Sequence, residues 1–278
     1  MNCLVYFTRV LRASGLAALL ATAVGGAASA QNNVVASRAS EPLVYRSADR
    51  TAAVQPSSPM AASAWKALLV GGNHLIDGYN NAANDIAARL RQHGVQRVAV
   101  LQSMGPTSDD SVPTARRREM RKAMKSLGTA ANDVCLFFIT SHANERGIYL
   151  SAERGYLSAR DLSSMIDAEC GERPTVLILS GCGTGSFITS SLTGDNRIIL
   201  TASARGKVSY GATTTDRYVN FDRCVIKAMD AGARTWRDVF ERTRLCVDER
   251  ERALGVAASE PQAWFGSQVG QLALPGRS

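Results

Sequence analysis

Val134-Cys-Leu-Phe-Phe-Ile-Thr140 is an unbroken apolar run, followed at once by Ser141 and His142. A short continuous run of this kind, rich in aromatic and branched side chains, reads as a strand buried on both faces, as in a parallel sheet. A second such run, Thr175-Val-Leu-Ile-Leu-Ser180, leads into Gly181 and Cys182. Each reactive residue thus stands where a buried strand ends. The carboxyl ends of neighbouring parallel strands share one crevice, the usual place for a ligand or active site, so a histidine and a cysteine delivered there form a candidate catalytic pair.

On either side of these runs, apolar strands alternate with amphipathic segments. Lys66-Ala-Leu-Leu-Val70 is a first strand, closed by Gly71-Gly72. A helix follows over Asn81 to His93, with Ile86 and Leu90 on one face and Gly94 as its stop. Arg97-Val-Ala-Val-Leu-Gln102 is the next strand, and a loop with Gly105, Pro106 and Pro113 leads to a helix from Thr114 to Leu127. Beyond His142, Gly147-Ile-Tyr-Leu-Ser151 reads as one arm of a small hairpin. Ser158, with Asp161 three residues on, opens a helix to Glu169 as a capping box. Strands at Val176–Ser180 and Arg197–Ala202 precede a long loop, 203–219, then helices over Phe221–Ala231 and Thr235–Leu254 and a last edge strand at Gln262–Gly266. This alternation predicts an α/β domain, a mostly parallel sheet with helices on both faces. A connection as long as 203–219 is commonly functional in a compact domain.

The amino-terminal residues carry a targeting pattern. Arg9 and Arg12 form a basic region, Gly15-Leu-Ala-Ala-Leu-Leu-Ala-Thr-Ala-Val24 a short apolar core, and Ala28-Ser29-Ala30 a small-residue cleavage site. Residues 1–30 are therefore expected to be a cleaved signal peptide and the protein to be exported, periplasmic or secreted. The apolar core falls well short of the roughly 20 residues that a spanning helix needs. No later stretch is long and apolar enough, so no integral membrane segment is expected after cleavage. Residues 31–63, with Pro42, Pro56 and Pro59 among many Ala and Ser, have no sustained apolar period and read as a flexible linker or pro-segment. Residues 64–275 then form one domain, long enough to enclose a sizeable core.

The formal net charge of +8 falls to +6 without Arg9 and Arg12. Its densest stretch, Arg116-Arg117-Arg118 with Arg121, Lys122 and Lys125, lies on a helix as a solvated face. It lacks the interleaved aromatics of a single-strand binder, and no nucleic-acid partner is expected. Five cysteines lie beyond residue 30: Cys135, Cys170, Cys182, Cys224 and Cys246. An odd count in an oxidising compartment leaves at least one thiol over. Cys224 and Cys246, on consecutive helices, are a candidate disulfide; Cys135 and Cys170 either pair or stay buried and reduced. On either count Cys182 is the odd one out. No cysteine pair has the close spacing of a zinc site, and no metal or cofactor is expected.

A thiol is a useful nucleophile only as thiolate, and a nearby imidazole supplies that shift and can later protonate a leaving amine. Cys182 lies in the glycine-rich turn Gly181-Cys-Gly-Thr-Gly-Ser186, which lets backbone approach a bound carbonyl. The amide of Cys182 is a candidate oxyanion donor, and that of Ala143 a second.

The two blocks Val134-Cys-Leu-Phe-Phe-Ile-Thr-Ser-His-Ala143 and Thr175-Val-Leu-Ile-Leu-Ser-Gly-Cys-Gly-Thr-Gly-Ser-Phe187 resemble the active-site blocks of legumain-like cysteine peptidases. That family includes the asparaginyl endopeptidases and the catalytic subunit of the glycosylphosphatidylinositol transamidase, and shares the caspase-like fold. The 40-residue separation of His142 and Cys182 suits it. The similarity extends through Leu68-Leu-Val-Gly-Gly-Asn73, Asp85 and Ile199-Leu-Thr-Ala-Ser-Ala-Arg-Gly-Lys-Val-Ser-Tyr210, covering about residues 64–270. The resemblance implies a caspase-like three-layer sandwich, with Cys182 as nucleophile and His142 as general base then acid. It also implies an orienting role for Asn73, for which a turn-forming role is an equal explanation. Ser203 and Ser209 match the segment lining the substrate cleft.

The chain also departs from the family pattern. Ala143 replaces a glycine after the histidine, and Ser180 and Gly181 replace an acidic residue and an alanine before the cysteine. Asn81 and Ala82 align with the arginine and histidine of the asparaginyl pocket, so asparagine preference is not carried over. The expected function is an exported cysteine endopeptidase acting on peptide or protein substrates through a thioester. The alternatives are a transpeptidase with the same acyl-enzyme and a non-catalytic scaffold that keeps the fold. An α/β-hydrolase places its histidine after the nucleophile, whereas every histidine here precedes Cys182.

Overall fold

The computed structural model describes residues 44–46, 60–104, 114–128, 130–211 and 216–276. The expected leader, and most of the expected linker, lie outside the described residues. In chain order the elements are β1 (Val44–Arg46), β2 (Trp65–Gly71), α1 (Asp77–Gln92), β3 (Arg97–Gln102), α2 (Arg117–Ser126), β4 (Val134–Thr140), β5 (Ala143–Asn144), β6 (Gly147–Leu150), β7 (Gly155–Leu157), α3 (Ala159–Glu169), β8 (Thr175–Ser180), β9 (Arg197–Thr201), α4 (Asn220–Asp230), α5 (Trp236–Leu254) and β10 (Gln262–Phe265). Seven strands form the main sheet in the order β1-β10-β9-β8-β4-β2-β3. All pairs are parallel except β9 with β10.

β4 and β8 are apolar throughout because helices cover both faces of the sheet. Leu136 and Phe138 pack with Ile86, Phe221, Trp236 and other residues of α1, α4 and α5. Cys135, Phe137 and Ile139 face the opposite way, onto Met120, Met124, Leu162 and Ile166 of α2 and α3. Full burial of such side chains contributes about 1.5–3 kcal/mol each. The result is the expected three-layer sandwich. The basic stretch falls on α2, whose Met120 and Met124 are buried while Arg118 and Lys122 face solvent.

Local devices end the helices. Ser158 and Asp161 form the anticipated capping box on α3, and Thr235 and Asp238 form another on α5. Lys66, fully buried in β2, donates to the carbonyls of Gly128 (3.0 Å) and Glu169 (2.9 Å), at the carboxyl ends of α2 and α3. A cation there meets the negative ends of two helix dipoles.

Three local features differ from the sequence reading. Val44–Arg46, inside the stretch expected to be flexible, is an edge strand parallel to β10. The small hairpin is a three-stranded sheet, β5-β6-β7. α1 begins four residues earlier than expected, at Asp77. Both candidate disulfides are formed, Cys135–Cys170 on one face of the sheet and Cys224–Cys246 between α4 and α5. No helix among the described residues is long and apolar enough to cross a membrane.

Candidate active site

β4 and β8 are neighbours in register, Thr140 opposite Ser180, and the Ser141 amide donates to Ser180 O at 3.1 Å. His142 and Cys182 therefore occupy equivalent positions, each two residues past the last paired position, on the same carboxyl edge of the sheet. The segments that carry them are packed together. A Cβ on Gly181 would lie 2.6 Å from Ser141 O and 2.9 Å from the Ala143 Cβ, closer than such atoms approach. Only glycine fits there.

The hairpin aims the Ala143 amide. Ala143 stands opposite Ile148, and the Tyr149 amide donates to His142 O at 2.8 Å. That makes Ala143–Ile148 the non-hydrogen-bonded pair of the antiparallel ladder, so the Ala143 N–H points away from β6. The Gly181 segment lies on that side, with Ala143 N 3.5 Å from the Cβ position just described.

His142 is half-buried and meets Tyr79, which the first turn of α1 presents. The Tyr79 hydroxyl lies 3.3 Å from His142 Nδ1, and the rings meet edge to face with centroids 5.5 Å apart. Burial holds the imidazole below its usual pKa, favouring the neutral ring. Burial, with Asp222 nearby, raises the pKa of the Tyr79 phenol, which stays protonated. Tyr79 was not singled out in the sequence. Its signal there is a buried aromatic with a polar tip, directly after the first strand.

Asp222, in the first turn of α4, is the second residue not foreseen. It is fully buried and accepts from Thr140 Oγ1 at 2.6 Å, with the Ser180 hydroxyl near enough to favour its charged form. Burial pushes its pKa up to about 7, although both hydroxyls act to lower it.

Cys182 is nearly buried, with Sγ 3.5 Å from Ser209 O. It is disulfide-bonded in this structure. Its turn is firmly braced. Gly183, at φ +67°, gives its amide to Ser203 Oγ (2.7 Å) and Lys207 O (2.8 Å). Thr184 Oγ1 donates to Gly181 O (3.0 Å) and accepts from the Ala202 amide (3.1 Å).

Ser203 is fully buried, accepting from Gly183 N and donating to Gly181 O (3.2 Å), so its hydroxyl braces the cysteine turn. Asn73 is buried and its Oδ1 accepts from the Leu75 amide (2.8 Å), the geometry of the turn-forming alternative. The hydrogen-bond partner found at His142 Nδ1 is Tyr79. Ser209 lies beside Cys182, its carbonyl facing the sulfur. Asn81 donates to Arg217 O (3.2 Å), whereas Ala82 is buried in the core. Among the described residues, no group of three or more His, Cys, Asp or Glu gathers as a metal site.

Residues 111–271, which include His142, Cys182, Ser203 and Asp222, match the sequence model described as the Peptidase C13 family. No curated protein matches the chain significantly.

Proposed function

The chain belongs to the Peptidase C13 family, the legumain family, whose activity is that of cysteine peptidases, and on that premise we propose that it is an exported endopeptidase using Cys182 and His142. The observation that carries the assignment is the in-register pairing of β4 with β8, which delivers the two residues to one edge of the sheet. We assign residues 1–30 to a cleaved leader, 31–63 to a linker or pro-segment and 64–275 to the peptidase domain.

The reaction needs Cys182 as a thiol, so its disulfide must first be reduced. The Cys182 thiolate attacks the scissile carbonyl carbon, and the amides of Ala143 and Cys182 hold the oxyanion. His142 passes the thiol proton to the departing amine as the tetrahedral intermediate collapses to a thioester. Water, deprotonated by His142, then attacks the thioester and restores the thiol. For Nε2 to act as the base, Nδ1 must carry the ring proton, and Tyr79 Oη then accepts from it.

Mature protein incubated with a peptide library is expected to cleave, with activity abolished in Cys182→Ala and strongly reduced in His142→Ala. Cleavage unchanged in both variants would exclude this pair. Peptide products joined to an added amine would instead identify a transpeptidase.

A further inference from the structure

Asp222 is a buried carboxyl that the reaction just described does not use. Its position is unusual in another respect. Thr140 and Ser180, the two hydroxyl residues it engages, are the mutually paired last residues of β4 and β8, each two positions before His142 and Cys182. One carboxyl from α4 therefore holds both strand ends from beneath. Tyr79, the residue against His142, is close enough for the charge of Asp222 to act on it. We propose that Asp222 is a positioning residue that sets the spacing of the His142 and Cys182 segments through Thr140 and Ser180.

The fold itself gives little reason for a carboxyl here. Phe221, Cys224 and Val225 around it on α4 are core residues. Asp222 Oδ1 has no hydrogen-bond partner among the described residues. A buried carboxyl left partly unsatisfied is destabilising, and an apolar residue of similar volume is often neutral or stabilising in its place. Helix α4 gains something from an acid in its first turn, but an exposed acid would serve that purpose equally. Breaches of local packing rules of this sort concentrate where a site must be held in place. The energetic reason lies in the reaction geometry, since a misplacement of about 1 Å between reacting groups can cost on the order of a hundredfold in rate.

The inference rests on the Cys182–His142 assignment, and the experiment separates the two. The full chain, expressed with its own leader and mildly reduced, is assayed for kcat and KM and for the rate of Cys182 alkylation by iodoacetamide, read by peptide mass. Asp222→Leu removes both acceptors while keeping bulk. It is expected to fold with unreduced thermal stability, yet to lose at least tenfold in kcat with KM within threefold, and to slow alkylation. Asp222→Asn keeps an acceptor for Thr140 and is expected to stay within about threefold of wild type in both readouts. A purely structural role predicts the opposite order, kcat following stability. Should Asp222→Leu not fold, the double variant Thr140→Val with Ser180→Ala cuts the same contacts from the strand side and is expected to show the same selective loss of kcat. Wild-type kcat and alkylation in a folded Asp222→Leu, or in that double variant, overturn the proposal while leaving the pair intact. An alkylation rate indifferent to His142→Ala overturns the pair, and the positioning role with it.

Discussion

Ala143 and Gly181 meet across the ends of β4 and β8, and their sizes are set together. The family resemblance puts a glycine after the histidine and an alanine before the cysteine; here the methyl group stands on the histidine side instead. A Cβ on Gly181 would come within 2.9 Å of the Ala143 Cβ and 2.6 Å of Ser141 O, so the methyl at 143 is one of two obstacles to a side chain at 181. Gly181→Ala is expected to lower kcat/KM at least tenfold by prising the two segments apart. Adding Ala143→Gly should recover part of the loss, the clash with Ser141 O and the backbone at Gly181 limiting the rest. A double-mutant cycle measures the coupling, and strictly additive effects would refute it. Tyr79 offers a second test at this scale. Tyr79→Phe keeps the ring against His142 and removes its hydroxyl, so kcat should fall about tenfold with KM little changed. Equal effects on kcat and stability would mean that the hydroxyl only fills space. His142 and Cys182 were legible in the sequence because strand ends announce themselves through apolar runs. Tyr79 and Asp222 were not, because each acts from a helix whose docking onto the sheet no local pattern records.

At the level of elements, β4 has the bounds its apolar run suggested, and β8 begins one residue earlier, at Thr175. Continuous apolar runs are easy to read when both faces are buried. α1 was placed too late because Asp77-Gly-Tyr-Asn80 offers no apolar period and contains a glycine, so tertiary contacts rather than propensity start the helix. β5 and β7, of two and three residues, are too short to carry an alternating pattern. In the 203–219 loop, Ser203 and Ser209 approach the cysteine turn in different ways. Ser203 braces the turn by its side chain, and Ser209 approaches the sulfur by its carbonyl. Ser203→Ala removes two buried hydrogen bonds and should cost about 1–3 kcal/mol of stability, visible in thermal unfolding. It should also lower kcat as the cysteine turn loosens. A substrate contact would give the contrary result, a raised KM with stability unchanged.

Across the whole molecule, stability rests on two cores separated by the sheet, each closed by one disulfide. Cys135–Cys170 lies among the residues over α2 and α3, and Cys224–Cys246 joins α4 to α5 on the other face. Loops of 35 and 22 residues imply about 3–4 kcal/mol from each bond in the chain-entropy view, so the fold suits an oxidising compartment. Replacing Cys224 and Cys246 by Ala should lower stability by about 3 kcal/mol in chemical denaturation, while Cys182 alkylation keeps its dependence on His142. The pH response of the whole fold follows from its buried acids. Asp222 has a folded pKa of about 7, whereas an unfolded Asp titrates near its ordinary value of about 3.9. The folded state thus holds the proton more tightly, and the contribution of Asp222 is fully present below about pH 4 and lost as pH rises through about 7. Glu251, whose pKa burial also raises, acts in the same direction. Asp85, Asp133 and Asp161 are held low by their Arg, Tyr, Ser and backbone partners and act the other way, their contribution being lost as pH falls through the acid range. Asp222→Asn isolates one component of this balance. Its stability should equal that of wild type near pH 4 and exceed it by a few kcal/mol near pH 8, the gap opening mainly between pH 4 and 7. Parallel thermal unfolding curves across that range would show that Asp222 ionises normally in the fold, and would remove the pH dependence assigned to it.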